Sequence, residues 1–119
     1  MYSEKLLEHF QNPRHVGELP PPATTVEVMN PACGDIMRLS VLWEGGRVAG
    51  AAYKTRGCTA SIATGSAAVE WLIGRTHEEV LQVRAADLEE AVGGLIPESK
   101  HAAVLCVDAL RAAARQAPG

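Results

Sequence analysis

Aromatic side chains are scarce in this sequence: Tyr2, Phe10, Trp43, Tyr53 and Trp71 are all there are, so a core must come from aliphatic side chains and alanine. No apolar run approaches the roughly 20 residues that span a bilayer. The start, Met1-Tyr2-Ser3-Glu4-Lys5, lacks the basic-then-apolar order of a signal peptide. A cytoplasmic address with no membrane partner is the expectation. Positive charge is not in excess either: 11 Lys and Arg stand against 14 Asp and Glu, a formal net charge of -3. Such a chain offers no broad cationic surface to neutralise phosphates, which argues against nucleic acid as a partner. Cysteines are few, odd in number and far apart: Cys33, Cys58 and Cys106 make a poor disulfide framework. In a reducing compartment they are thiols, either buried apolar fillers or ligands and nucleophiles. Cys-x-x-Cys, a Gly-rich phosphate loop and His-Glu-x-x-His are all missing, so no short motif settles the chemistry.

What is present is enough for one domain over residues 1–119, since a chain of this length buries roughly two thirds of its unfolded surface. Hydrophobic residues make up 47% and charged residues 21%, the balance of a globular protein rather than a disordered one. Tyr2 to Phe10 reads as a short helix with Leu6, Leu7 and Phe10 on one face, ended by Asn12-Pro13 because the residue before proline avoids the helical region. Arg14 to Thr24 holds three prolines, Pro20, Pro21 and Pro22, and reads as an extended connector. Thr25 to Met29 and Met37 to Trp43 alternate apolar and polar residues as half-buried strands do. Glu44-Gly45-Gly46-Arg47 is a hairpin turn, and Val48 to Thr55 returns as a third strand.

From Cys58 the spacing becomes helical, with Ile62, Ala63, Val69, Leu72 and Ile73 as an apolar stripe that Gly74 closes. Thr76-His77-Glu78-Glu79 is a capping box for a helix through Val83, and Asp87-Leu88-Glu89-Glu90 repeats the signal for a short helix ending at Gly93-Gly94. Pro97-Glu98-Ser99 opens a last helix carrying Val104, Leu105, Val107 and Leu110. Strands first and helices after predict an α+β fold: a three-stranded antiparallel sheet with helices packed on one face.

Three residues stand out for chemistry. Cys33 lies in the tight turn Asn30-Pro31-Ala32-Cys33-Gly34-Asp35, where Pro and Gly keep side chains near the surface. Cys58 follows Gly57 where strand gives way to helix, a place that suits a metal-binding or nucleophilic sulfur. If the second and third strands are antiparallel neighbours, Cys33 enters one and Cys58 leaves the other, so both lie at the same end of the sheet. Asp35 could add an oxygen ligand of the kind zinc and iron accept. The plainer alternative is that the cysteines are packed apolar residues and Asp35 a turn former. His9, on an exposed helix face, His15 in a loop and His77 in a first helical turn are given no role.

Several longer stretches carry a likeness. Tyr2-Ser3-Glu4-Lys5 with Asn12-Pro13-Arg14-His15-Val16-Gly17, then Pro31-Ala32-Cys33-Gly34-Asp35, then Tyr53-Lys54-Thr55-Arg56-Gly57-Cys58, then Glu70-Trp71 with Gly74, and finally Asp108-Ala109-Leu110-Arg111-Ala112-Ala113, resemble in order and spacing the IscU/NifU N-terminal family. The resemblance implies an IscU/SufE-like fold and a non-enzymatic scaffold. On such a scaffold a cysteine desulfurase delivers sulfur, iron is added, and a 2Fe–2S cluster is built and passed to recipient apo-proteins. It further implies Cys33 and Cys58 as cluster ligands and sulfur acceptors, and Asp35 as a labile ligand.

Two departures accompany the likeness. The family's last helix begins with Lys-x-His-Cys; ungapped alignment through Asp108-Ala109-Leu110 puts His101 on the histidine and Ala102 on the cysteine. Cys106, one helical turn on, is a substitute for the missing thiol or a core residue, and His101 a ligand or a solvated side chain. The family's Leu-Pro-Pro-Val-Lys segment, read by an Hsp70 chaperone, is here Leu95-Ile96-Pro97-Glu98-Ser99, which argues against chaperone-driven release. Two other readings stay open: a zinc-bound sulfur acceptor that activates a desulfurase, as in the SufU branch, whose long insertion this chain lacks, and a metal-free adaptor of the same fold. Two thiols per subunit also leave room for a cluster shared across a homodimer.

Overall fold

Alternating apolar residues bring three consecutive strands edge to edge. In a computed structural model, which describes residues 2–31 and 34–117, β1 (Thr24–Met29), β2 (Ile36–Glu44) and β3 (Arg47–Arg56) form an antiparallel sheet in the order β1-β2-β3. The register sets Val26 opposite Leu39 and Val28 opposite Met37, then Leu39 opposite Tyr53 and Val41 opposite Ala51. One face of the sheet is thereby apolar. The outer edge of β3 is not left bare. The proline-rich connector, extended as its composition predicts, crosses it: Tyr53 N–H donates to the His15 carbonyl and Gly17 N–H to the Tyr53 carbonyl, each at 2.9 Å. At the other end of the strand Val48 exchanges bonds with Arg75 and Gly74. Covering an edge in this way removes a template for aggregation.

The helices are α1 (Glu4–Gln11), α2 (Thr59–Leu72), α3 (His77–Leu81), α4 (Ala85–Ala91) and α5 (His101–Arg115), the last preceded by a single 3-10 turn at Pro97–Ser99. Ser3 caps α1 by accepting from Leu6 N–H, and Thr76 with Glu79 makes the expected capping box of α3. The signal at Asp87 marks a different position from the one its sequence suggests. Asp87 is not the cap of α4 but its third residue, reaching back to the Arg84 N–H at 2.9 Å. No helix among the described residues is long and apolar enough to cross a membrane.

α5 lies against β1 and β2, and α2 against β3. Met37, Leu39, Val41, Val48 and Tyr53 of the sheet pack there on Val69, Leu72, Leu105 and Leu110 of the two helices. A smaller cluster, Leu6 with Ala60, Ala63, Ala67, Val92 and Ala102, fastens α1 and α4 to the other side of α2. The central helix is thus enclosed nearly all round, which is why its sequence is small residues rather than an amphipathic stripe. His9, expected on an open face, is instead only 5% exposed. Its Nδ1 is 2.8 Å from Ser66 Oγ on α2, and burial, followed by the nearby Arg14, lowers its pKa.

α2 and β3 approach closely at Gly65, where a Cβ would stand 2.6 Å from Cε2 of Tyr53. The Tyr53 hydroxyl donates to the Ile62 carbonyl at 2.8 Å, and burial pushes its pKa up to about 12. A ring tied at its far end cannot swing aside. Gly65→Ala is therefore expected to cost about 1–3 kcal/mol, read as a lower Tm in thermal melts; an unchanged Tm would mean that α2 and β3 do not meet this closely.

Candidate metal centre

Strand register decides what meets at one end of the sheet. Met29 pairs with Ile36, and Ile36 in turn with Arg56, so the loop between β1 and β2 and the exit of β3 share an edge. The loop closes on itself: Gly34 N–H donates to the Asn30 carbonyl at 2.7 Å and Asn30 N–H to the Asp35 carbonyl at 2.9 Å. This turns the Asp35 side chain inward, where it is only 8% exposed. Its carboxylate lies flat against the backbone of Gly57, since a Cβ there would sit 2.6 Å from Cγ and 2.8 and 2.9 Å from the two oxygens. Glycine at 57 is what lets Asp35 occupy this place.

Cys58 is the N-cap of α2 but makes no capping bond with its side chain. Its sulfur, exposed, is left free for other partners beside the positive end of the helix dipole. α5 begins at His101 and packs against α2, so the imidazole arrives at the same spot. Sγ of Cys58 is 3.7 Å from Oδ2 of Asp35 and 3.6 Å from Nε2 of His101, while that Nε2 is 3.5 Å from the same Oδ2. One sulfur, one nitrogen and one oxygen form a nearly equilateral triangle.

These separations have a chemical meaning. An imidazole nitrogen 3.5 Å from a carboxylate oxygen is beyond a good hydrogen bond. A tetrahedral ion with bonds of roughly 2.0–2.3 Å has ligand-to-ligand edges of about 3.4–3.8 Å, and all three distances fall in that range. The donor set also suits the metals involved: thiolate, imidazole and carboxylate are all accepted by zinc and iron. The described residues thus outline one face of a tetrahedron. A surface hollow of about 690 Å³, lined by Trp71, Arg75 and Glu79 among others, shares no residue with the triangle.

Ser61 is a site residue that the sequence reading passed over. It is fully buried, its hydroxyl donates to Oδ2 of Asp35, and its Oγ is 3.4 Å from Sγ of Cys58. The signal was available: a residue three positions after Cys58 in a helix shares its face.

Of the remaining candidates, only Cys106 can be placed. Cys33 lies outside the described residues. Cys106, offered as the substitute for a missing thiol, is fully buried in the main core, and burial pushes its pKa up to about 12. Its surroundings are apolar and disfavour the thiolate that binds metal, so the structure corrects that reading to the packed-residue alternative. One turn earlier on the same helix, Ala102 is buried in the smaller cluster against α2. His77 is engaged structurally, its Nε2–H donating to the Ala114 carbonyl at 2.6 Å with its ring beside Trp43.

Comparison with known proteins shows the family and the fold. Residues 1–118 match the family described as the NifU-like N-terminal domain. An iron–sulfur cluster assembly scaffold protein IscU of Archaeoglobus fulgidus is 42% identical over 113 residues, covering 95% of this chain and 74% of that protein. The IscU scaffold of Azotobacter vinelandii is 42% identical over 118 residues, covering 96% and 91%. Among solved structures, the N-terminal part of a nitrogen-fixing NifU-like protein from Brucella abortus shares the fold with a TM-score of 0.77 at 22% identity, over 96% of this chain and 92% of that one.

The burial of Cys106 gives a direct check. With a thiol-alkylating reagent at about pH 8, near the ordinary cysteine pKa, Cys58 is expected to react promptly and Cys106 only once the chain is unfolded. Peptide mass analysis reads the two sites separately. Prompt modification of Cys106 in the folded protein would contradict its placement in the core.

Proposed function

The chain belongs to the NifU-like N-terminal domain family, and on that premise we propose that it is an iron–sulfur cluster assembly scaffold whose cargo is held at Asp35, Cys58 and His101, with Cys33 as the fourth ligand. The observation that carries the reading is the meeting of a sulfur, an imidazole nitrogen and a carboxylate oxygen, donors that iron accepts, within 3.5 to 3.7 Å of one another. Iron and sulfide are substrates here, not resident parts of the protein. Cys58 and Cys33 accept sulfur from a cysteine desulfurase. A thiolate attacks the outer sulfur of the donor's persulfide, the donor S–S bond breaks, and the donor leaves as its own thiolate. A two-electron reductant, such as an external dithiol, then cleaves the transferred persulfide to sulfide and restores the cysteine thiolate; thiolates hold the iron firmly, whereas Asp35 and His101 are harder and more easily displaced donors than a third thiolate. A ligand set of two sulfurs, one nitrogen and one oxygen suits a cargo that must be handed to a recipient apo-protein. Catalytic turnover is not required of the scaffold.

One observation favours a second reading. Three donors that converge on a single point fit one ion rather than two, so a single zinc at the same residues describes a sulfur acceptor that stimulates a desulfurase. Both readings use the same side chains and differ in the metal that occupies them.

Incubating the protein anaerobically with ferrous iron, sulfide and a thiol reductant is expected to give visible sulfur-to-iron absorbance, and Cys33→Ser or Cys58→Ser to abolish it. Equal absorbance in the double variant would overturn the scaffold reading. Stoichiometric zinc in the protein as isolated, with desulfurase turnover rising on its addition, would select the second.

A further inference from the structure

Ser61 is not among the proposed ligands, yet it touches two of them. Its hydroxyl donates to Oδ2 of Asp35, the same oxygen that faces Cys58 Sγ and His101 Nε2. Its Oγ also stands 3.4 Å from Cys58 Sγ. The side chain is fully buried, so no surface water can readily take over its bond. On the opposite side the carboxylate is backed by Gly57, whose position has no room for a Cβ. Asp35 is thus held from two sides, by a backbone wall and by one hydroxyl. Without the hydroxyl, the wall alone does not decide which way Oδ2 points. A carboxylate free to turn must be reoriented each time metal binds, and that cost falls on affinity.

We propose that Ser61 is a positioning residue for the metal: its hydroxyl fixes the Asp35 carboxylate so that Oδ2 completes the triangle with Cys58 and His101 before any ion arrives. The proposal rests on the reading of Asp35 as a ligand. It goes beyond that reading in assigning part of the binding strength to a residue that never contacts the metal. Ser61 is also the third residue of α2, so a purely structural role at the helix start is the competing explanation.

A double-mutant cycle separates the two. Zinc affinity is measured by competition with a chromophoric chelator for the wild type, Ser61→Ala, Asp35→Ala and the double variant. Ser61→Ala is expected to weaken zinc binding roughly 10–100-fold, the usual effect of losing an outer partner of a ligand. In the Asp35→Ala background the same change is expected to shift affinity by less than about 2-fold, because the residue it acts through is gone. Equal losses in both backgrounds would overturn the proposal in favour of a structural role. Full affinity in Ser61→Ala beside a loss in Asp35→Ala would overturn it while leaving the ligand reading intact. Full affinity in Asp35→Ala would overturn both.

Discussion

The centre depends on one close contact, the Asp35 carboxylate resting against the backbone of Gly57 at the exit of β3. Everything else at the site is arranged around it. Antiparallel pairing of β2 with β3 brings the two positions side by side, and the absence of a side chain at 57 lets the carboxylate in. A buried carboxylate is costly unless it is bonded, and the groups that meet it, Ser61, Cys58 and His101, come from the first turns of two helices. A helix start is a natural place for such a cluster, because the first residues of a helix project outward past the last bonded turn and the dipole there favours anionic groups. The sheet supplies the acid and the helices supply the soft and nitrogen donors.

The rest of the fold holds those helix starts in place. α2 is enclosed by α1, α4, α5 and β3, and its small residues let these neighbours approach closely. The few large side chains sit where they fasten elements together. Tyr53 fills the gap between β3 and α2, and its hydroxyl reaches the Ile62 carbonyl within the first turn of that helix. Movement of α2 along its axis would disturb both the Tyr53 contact and the position of Cys58, so core packing and site geometry are coupled through one helix.

Much of this was legible from the sequence, and the reasons are specific. The alternation in Thr25 to Met29 and Met37 to Trp43, with the Gly45-Gly46 turn, leaves little choice but a meander, and the structure has one. From that meander followed one sheet end shared by the turn that holds Cys33 and Asp35 and the strand exit at Cys58. His101 came through the family likeness, because nothing in its local pattern separates a ligand from a solvated histidine. The least legible feature was burial. Cys106 lies one turn beyond Ala102 on the same helical face, and spacing along a helix does not tell a site-facing position from a core-facing one. His9 looked exposed because its helix is short and polar, whereas Ser66, distant in sequence, and Arg14, just past the helix, enclose it. Ser61 escaped notice because a serine in a helix of small residues is unremarkable until its neighbour across the fold is known.

The central claim is that one sulfur, one nitrogen and one oxygen of this chain meet at one metal centre. X-ray absorption at the zinc edge of the zinc-loaded protein tests it directly. The account predicts a mixed shell, with sulfur at about 2.3 Å and nitrogen and oxygen at about 2.0–2.2 Å, and a sulfur contribution that falls by one scatterer in Cys58→Ser. A shell made only of sulfur, or one that Cys58→Ser leaves unchanged, would contradict it.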